Sequence, residues 1–135
     1  MTIKILYIED NFLNLRLMGK LLTAMNYTML EAMDGATGLT LALHSLPHII
    51  MTDVNLPDIN GLELVGIIKQ QPTLQGIPVI AVTCNAMAGD RENCLKAGCD
   101  GYLPKPITKI ELKTLLERFI NQRYASPSPA FSGIG

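Results

Sequence analysis

The stretch Ile49-Ile-Met-Thr-Asp-Val-Asn-Leu-Pro-Asp-Ile-Asn-Gly61 contains the signals of a strand, a loop and the start of a helix. Its apolar beginning, 49–52, predicts a short strand that ends at Asp53. The Pro- and Asn-rich continuation predicts a loop, and Asn60 is suited to cap the helix that follows. This order of elements is typical of an α/β protein.

The same alternation repeats along the chain in both directions. Short apolar runs alternate with longer segments of helical period, which favours βαβ units and a parallel sheet. The run 79–82 is continuously apolar, as expected of a strand that is covered on both faces. The predicted strands are 3–8, 28–32, 49–52, 79–82 and 101–103. We therefore predict an α/β fold with five parallel strands.

Each predicted helix except the fourth carries an apolar stripe. The expected buried positions are Leu15, Met18, Leu22 and Met25 in the first helix, Leu39, Ala42 and Leu43 in the second, Leu64, Ile67 and Ile68 in the third, and Leu112, Leu115, Leu116 and Phe119 in the last. The last helix is predicted to begin with a capping box, Thr108-x-x-Glu111. The fourth segment, 85–97, has little apolar stripe and is expected to pack loosely before Gly98 ends it.

The bulk composition excludes several classes of protein. A chain of 135 residues is about one domain, and 48% hydrophobic with 17% charged residues is typical of a compact globular body. The net charge of −1 and the lack of a Lys/Arg-rich run argue against an electrostatic nucleic-acid or membrane surface. We expect the partners to be proteins or small anions.

The chain shows no signal of secretion or membrane insertion. Its N-terminal run lacks the features of a signal peptide, and no apolar stretch approaches the roughly 20 residues that a membrane helix needs. Cys84, Cys94 and Cys99 form no C-x-x-C pair, which favours free, mostly buried thiols. We expect a cytoplasmic protein with one domain over 1–123 and a disordered Ser/Pro/Gly-rich tail over 124–135.

Polar residues stand where the predicted strands end. Because the carboxyl ends of neighbouring parallel strands meet at one edge of a sheet, we expect these side chains to converge. They are Glu9 and Asp10, Asp53, Thr83 and Lys105. Taken singly, each has an ordinary interpretation as a cap, a turn residue or a solvated charge. Their joint position favours a site for Mg²⁺ and a phosphoryl group.

The residue types suit that chemistry. Asp10 and Asp53 could share one cation, and Mg²⁺ takes only one or two carboxylates besides waters and phosphate oxygens. Such an ion would keep clustered carboxylates ionised and leave Asp53 competent as a nucleophile. Lys105 offers an ammonium and Thr83 a hydroxyl for phosphoryl oxygens. Phosphoryl transfer depends mainly on positioning and charge stabilisation, which these groups can supply.

These residues together resemble the receiver domain of two-component response regulators. The spacing from Asp53 is +30 to Thr83, +49 to Tyr102 and +52 to Lys105, and Pro106 follows the lysine. The resemblance extends from position 4 to position 123. The stretches Glu-Asp-Asn-x-x-Asn-x-x-Leu at 9–17 and Asn-Ala-Met-Ala-Gly-Asp at 85–90 look most like receivers of hybrid sensor kinases, and they are similar to stand-alone regulators of bacterial cell division and polarity.

The resemblance implies a fold, a cofactor and a role for each site residue. The fold would be a doubly wound, flavodoxin-like parallel sheet of order 2-1-3-4-5. The implied roles are phosphoacceptor for Asp53, Mg²⁺ binding for Glu9, Asp10, Asp53 and the main-chain carbonyl of Asn55, phosphoryl binding for Thr83 and Lys105, switching for Thr83 and Tyr102, a cis bond before Pro106, and tuning of the phosphoryl lifetime for Asn55 and Asn85. Because neither asparagine can act as acid or base, we expect slow to moderate self-hydrolysis.

The resemblance also implies partners. A sensor histidine kinase or a histidine phosphotransfer protein would supply the phosphoryl group. The first helix, with apolar Leu15 and Met18 beside polar Asn11 and Asn14, would form the docking side for that donor, and the alternative is that this pattern reflects ordinary amphipathic packing. We expect no output domain after the predicted domain, so the face of the fourth helix, fifth strand and fifth helix would pass the signal to a downstream protein. We expect no enzymatic activity beyond the chain's own phosphorylation and slow autodephosphorylation.

Three alternatives use some of the same residues. A phosphatase of the haloacid-dehalogenase type needs a second acid two residues after its nucleophile, where this chain has Asn55. A flavodoxin-like FMN binder needs a phosphate-cradling first loop, which Glu9 and Asp10 would disfavour. A pseudo-receiver would act as an interaction module without phosphorylation, and the complete site argues against it.

Overall fold

The computed structural model describes residues 2–84 and 90–124. Strands and helices alternate along the chain, beginning with a strand and ending with a helix. The strands are β1 (Lys4–Ile8), β2 (Thr28–Ala32), β3 (Ile49–Asp53), β4 (Val79–Thr83) and β5 (Gly101–Pro104). The helices are α1 (Phe12–Ala24), α2 (Gly35–Ser45), α3 (Gly61–Gln70), α4 (Asp90–Ala97) and α5 (Lys109–Tyr124).

The five strands form one sheet of order β2-β1-β3-β4-β5, and every neighbouring pair is parallel. The order places β1 and β3 side by side, with Ile8 opposite Thr52. It also places Asp53 opposite Val82 in the β3–β4 pair. The predicted α/β fold and strand order are confirmed.

Each face of the sheet carries its own hydrophobic core, because successive side chains of a strand point to opposite faces. In β1, Ile5 and Tyr7 belong to the core under α1 and α5, whereas Leu6 and Ile8 belong to the core under α2, α3 and α4. Every residue of β3 and of β4 is buried. The predicted continuous burial of β4 is therefore confirmed.

The apolar stripes of most helices agree with the sequence prediction. The buried positions include Leu15, Met18 and Leu22 in α1, Leu64 and Ile68 in α3, and Leu112, Leu116 and Phe119 in α5. The prediction for Leu43 is wrong, because its side chain is 41% exposed. The face that α2 buries contains Gly35, Gly38 and Ala42. A Cβ atom at Gly38 would lie 2.5 Å from Cδ1 of Ile8, so α2 approaches β1 closely through small residues.

Three strands end one residue later than the sequence predicts, at Asp53, Thr83 and Pro104. Asp53 and Thr83 were predicted to follow β3 and β4, and they are instead the last paired residues of those strands. The added backbone pairing holds both residues within the sheet edge. Position 3 precedes β1, which begins at Lys4.

The helix caps follow the predicted signals. The Asn60 side chain accepts a hydrogen bond from the backbone N–H of Leu62 at the start of α3. Thr108 Oγ1 accepts from the backbone N–H of Glu111 at 3.2 Å before α5. Gly98, which follows α4, has a φ of 106°, a left-handed conformation that favours glycine.

The remaining sequence predictions are tested only in part. Cys94 and Cys99 are buried cysteines without a disulfide, whereas Cys84 is exposed. Positions 85–89 and the predicted tail from 125 onward lie outside the described residues. Within the ranges 2–84 and 90–124, no helix has the length and apolar character to cross a bilayer.

Candidate functional site

The carboxyl ends of β1, β3 and β4 bring polar side chains together at one edge of the sheet. Glu9 follows β1 directly, and its backbone N–H donates to the carbonyl of Ala32 at 2.9 Å. Asp53 and Thr83 end β3 and β4. All three of Glu9, Asp53 and Thr83 are buried, whereas Asp10 is exposed. The site therefore combines three buried polar residues with one solvent-exposed acid, Asp10.

Three carboxylates at this edge form a cluster with the composition of a divalent-cation site. One oxygen atom from each of Glu9, Asp10 and Asp53 lies within 4.8 Å of the other two. An all-oxygen set of this kind suits a hard ion such as Mg²⁺, which leaves several positions to water or phosphate oxygens. The residues present therefore fit the ion that the sequence predicts.

Lys105 supplies a positive charge to the acid cluster. Its Nζ atom lies 2.7 Å from Oε1 of Glu9 and 3.1 Å from Oδ2 of Asp53. Its backbone N–H donates to the carbonyl of Thr83 at 2.7 Å, which places the lysine beside the end of β4. The peptide bond between Lys105 and Pro106 is cis, as the sequence resemblance implies. The Lys105 ammonium thus contacts two buried carboxylates.

Glu9 accepts hydrogen bonds from three groups that sequence reasoning did not assign to the site, in addition to Lys105. Oε1 accepts from the Tyr7 hydroxyl at 3.1 Å and from Nδ2 of Asn14 at 3.0 Å, besides Lys105. Oε2 accepts from the backbone N–H of Asn11 at 3.3 Å. Tyr7 lies two residues before Glu9, and that spacing along β1 could have indicated a shared face. The four donors fix the orientation of this carboxylate.

The pKa values of the two buried acids in the cluster shift in opposite directions. Burial raises the pKa of Asp53 to about 6, and the nearby Glu9 adds to the shift while Lys105 opposes it. Burial also acts to raise the pKa of Glu9, but the hydrogen bonds with Lys105, Asp53 and the Asn11 backbone and the charge of Lys105 together outweigh it, so the pKa lies below its usual value. Burial would lower the pKa of Lys105, yet its bonds to Glu9 and Asp53 raise it. Glu9 and Lys105 therefore form the charged pair, and the ionised form of Asp53 is the one that is penalised.

The loop after β3 is closed at its base. The backbone N–H of Gly61 donates to the carbonyl of Val54 at 2.7 Å, and Asn55 pairs with Asn60 in an antiparallel bridge. A Cβ atom at Gly61 would lie 2.1 Å from the carbonyl oxygen of Asp53, so this close approach requires glycine. The loop therefore keeps Asn55 near Asp53, whose Oδ1 accepts from the backbone N–H of Asn55 at 3.2 Å.

The other predicted residues are placed as follows. Thr83 is 1% exposed at the end of β4. Tyr102 lies in β5 opposite Ala81, is half-buried and packs against the core under α2, α3 and α4. Asn85 lies outside the described residues. The structure therefore brings Glu9, Asp10, Asp53 and Lys105 into one cluster.

The fold and this cluster agree with comparisons to known proteins. Residues 5–117 match the family model of the response regulator receiver domain. The chain belongs to this family. It is thus a receiver domain of a two-component system, as its sequence spacing predicts.

Curated relatives include regulators of bacterial polarity. This receiver domain is 40% identical over 108 residues to the polar-differentiation response regulator DivK of Brucella ovis, a match that covers 80% of this chain and 88% of DivK. DivK of Brucella anthropi is 39% identical over 104 residues, with 77% of this chain and 85% of that protein covered. The sequence resemblance to stand-alone polarity regulators is confirmed.

A solved structure with a similar receiver domain contains a metal ion. The receiver domain of the sensor histidine kinase PA1611 from Pseudomonas aeruginosa has magnesium coordinated in its active site cleft. It is 35% identical to this chain with a TM-score of 0.83, and the match covers 90% of this chain and 99% of that domain. The receiver domain of a signal transduction histidine kinase from Syntrophus aciditrophicus is 26% identical with a TM-score of 0.83, covering 93% and 95% of the two chains.

Proposed function

We propose that this receiver domain carries a signal by accepting a phosphoryl group on the carboxylate of Asp53. The donor is a phosphohistidine of a sensor histidine kinase or of a histidine phosphotransfer protein. The observation that carries the proposal is the position of Asp53, which is buried beside a second acid and 3.1 Å from the Lys105 ammonium. Membership of the receiver family and the DivK relatives support it.

The acid cluster is the proposed Mg²⁺ site. Glu9, Asp10, Asp53 and the main-chain carbonyl of Asn55 would hold the ion. When bound, Mg²⁺ supplies positive charge that keeps the carboxylates ionised and offsets the charge of the phosphoryl group. The closed base of the loop holds Asn55 beside Asp53 for this purpose. The magnesium in the PA1611 receiver domain supports the assignment.

The transfer step needs one nucleophile and two phosphoryl ligands. An Oδ atom of ionised Asp53 attacks phosphorus, a new O–P bond forms, and the N–P bond to the donor histidine breaks with its electron pair leaving on the imidazole. Lys105 then exchanges its contact with the Asp53 carboxylate for one with a phosphoryl oxygen, and the Thr83 hydroxyl donates to another. Lys105 already lies within reach of this position.

The proposed output is a change in the face formed by α4, β5 and α5. Movement of Thr83 toward the phosphoryl group frees space for Tyr102 to become more buried, and the two arrangements are states whose populations phosphorylation shifts. Thr83 pairs with Pro104 in the sheet, so β4 and β5 connect the site to this face. Leu95 and Ile110 are 53% and 77% exposed on it and can contact a downstream protein.

The protein would catalyse only its own phosphorylation and its own slow dephosphorylation. Asn55 and Asn85 stand at the positions that tune the phosphoryl lifetime, and neither can activate water as a base. The protein would act in the cytoplasm together with its phosphoryl donor. Residues 1–123 would form the receiver domain.

A ligand experiment tests the proposal. Mg²⁺ should raise the melting temperature of the wild type and raise that of Asp53→Asn much less, because a ligand that binds only the folded site stabilises it. Beryllofluoride with Mg²⁺ should then move the NMR resonances of Thr83 and Tyr102 in the wild type. Unaltered spectra would instead support an interaction module that is never phosphorylated.

A further inference from the structure

The loop that follows Asp53 is attached to the start of α2 by one carboxylate. Oδ1 of Asp58 accepts from the backbone N–H of Gly35 at 2.8 Å, and Oδ2 accepts from the backbone N–H of Ala36 at 3.0 Å. These amides are the first two of α2 and have no partner within their own helix. Asp58 therefore satisfies two donors that belong to a different segment of the chain.

Packing at the same place leaves no room for a larger residue. A Cβ atom at Gly35 would lie 2.4 Å from Cγ2 of Ile59 and 3.3 Å from Oδ1 of Asp58. The start of α2 thus touches the loop through both the Asp58 carboxylate and the Ile59 side chain. Two independent contacts hold the tip of the loop against this helix.

Helix α2 has its own N-cap residue, so Asp58 is not the only side chain that caps its N-terminus. Asp34 is the N-cap residue of α2, and its Oδ1 accepts from the backbone N–H of Thr37 at 2.7 Å. A carboxylate at a helix N-terminus is favourable because of the helix dipole. The bonds from Gly35 and then Ala36 lower the pKa of Asp58, so its carboxylate stays ionised in this position.

The same loop carries the backbone group assigned to the metal site. Its base is closed by Val54 with Gly61 and by Asn55 with Asn60. Asn55 is thus part of that base, and the tip at Asp58 follows three residues later. Contacts at both ends of the segment therefore restrict the conformations in which the Asn55 carbonyl can face Asp53.

We propose that Asp58 is a positioning residue for the Mg²⁺ site, which it serves by anchoring the loop of Asn55 on the N-terminus of α2. The inference rests on the proposed function, because that function assigns the Asn55 carbonyl to the ion. It adds a coupling between the metal site and α2. Since coupling free energies are reciprocal, Mg²⁺ binding should also order the first turn of α2.

A pair of cap variants tests this coupling. Asp58→Ala and Asp34→Ala each remove a carboxylate that caps α2, but only Asp58 belongs to the metal loop. We expect Asp58→Ala to raise the Mg²⁺ Kd about 3- to 10-fold, less than the roughly 10- to 100-fold typical for partners that bond directly to a metal ligand. Asp34→Ala should change it less than about 2-fold, because its effect stays within the helix. The Kd is measured by Mg²⁺ titration of amide resonances.

Hydrogen exchange provides a second readout that does not depend on phosphorylation. In the wild type, Mg²⁺ should slow exchange of the Gly35 and Ala36 amides, and in Asp58→Ala it should not. Asp58→Asn keeps the side-chain shape but loses one acceptor oxygen, so it should give an intermediate Kd and serves if Asp58→Ala folds poorly.

The possible outcomes separate the inference from the proposed function. A wild type that binds no Mg²⁺ would overturn the metal assignment itself. A wild type that binds Mg²⁺, with equal Kd values for the Asp58 and Asp34 variants, would overturn only the anchoring role. Amide protection at Gly35 that ignores Mg²⁺ in the wild type would also overturn it.

Discussion

Nζ of Lys105 lies 2.7 Å from Oε1 of Glu9, so the residue after β5 neutralises a carboxylate that is 96 positions earlier in the chain. The distance from Lys105 to Asp53 is longer, at 3.1 Å. The shorter contact of Lys105 is therefore with Glu9, the acid whose pKa is lowered. In the proposed transfer, Lys105 would keep its contact with Glu9 and exchange only its contact with Asp53 for one with a phosphoryl oxygen.

Lys105→Met should destabilise the Mg²⁺-free protein. The three clustered carboxylates would lose their cation, and we expect the free energy of unfolding to fall by about 1–3 kcal/mol. This is less than the roughly 3–5 kcal/mol of a fully buried broken pair, because the lysine side chain is 18% exposed. Urea unfolding measures the change, and added Mg²⁺ should recover part of it. The exposed Lys96→Met is the control, and an equal loss there would contradict the role of Lys105.

Asp53→Asn should stabilise the Mg²⁺-free protein at pH 8. Burial raises the pKa of Asp53 in the folded state to about 6 from an ordinary 3.8, so the folded state binds this proton more tightly, and the stability of the wild type falls as the pH rises from about 4 to about 6. We expect a gain of about 1–3 kcal/mol at pH 8 that disappears near pH 4, where wild-type Asp53 is protonated. Thermal unfolding at several pH values measures it. A gain that does not vary with pH would show that ionisation of Asp53 is not the cause.

Tyr7→Phe should loosen Glu9 without changing the packing of the core. The variant removes the hydroxyl that donates to Oε1 of Glu9 and keeps the buried ring. Because hydrogen bonds to charged groups are stronger than average, we expect a loss of about 1–2 kcal/mol in the free energy of unfolding and weaker Mg²⁺ binding. Tyr27→Phe, at a tyrosine beside the C-terminal end of α1, is the matched control. Unchanged Mg²⁺ affinity in Tyr7→Phe would remove Tyr7 from the site.

Two helical glycines should respond in opposite ways to alanine. A Cβ atom at Gly38 in α2 would lie 2.5 Å from Ile8, whereas one at Gly66 in α3 meets nothing within 4 Å. Gly38→Ala should therefore cost about 1–3 kcal/mol through overpacking, and Gly66→Ala should gain about 0.5–1 kcal/mol from the better helix former. Chemical denaturation of both variants measures the difference. Stabilisation by Gly38→Ala would show that α2 can move away from β1.

The features that depend on local pattern were predictable from sequence. The convergence of Glu9, Asp53 and Thr83 follows from strands that run parallel and end at one edge, whereas the strand order was implied only by the family resemblance. The cap at Asn60 and the left-handed Gly98 are also local signals, because each depends on the conformation of a few neighbouring residues.

The features that depend on side-chain contacts between elements were not predictable. The burial of Tyr7 shows in the pattern of β1, but its bond to Glu9 depends on side-chain rotamers. The prediction for Leu43 failed because the buried face of α2 is formed by Gly35, Gly38 and Ala42. The predicted stripe included Ala42 but neither glycine, and these glycines allow close contact with the loop and with β1. The bonds of Asp58 join positions 23 and 22 residues apart, and no sequence pattern indicated them.

The central claim is that the carboxylate of Asp53 forms an acyl phosphate beside Mg²⁺. Mass spectrometry of the intact protein after treatment with acetyl phosphate and Mg²⁺ tests it most directly, with Asp53→Asn treated in parallel. The proposal predicts one phosphoryl adduct on the wild type, located to Asp53 by borohydride trapping, and none on the variant or without Mg²⁺. An unmodified wild type, or an adduct that persists in Asp53→Asn, would contradict it.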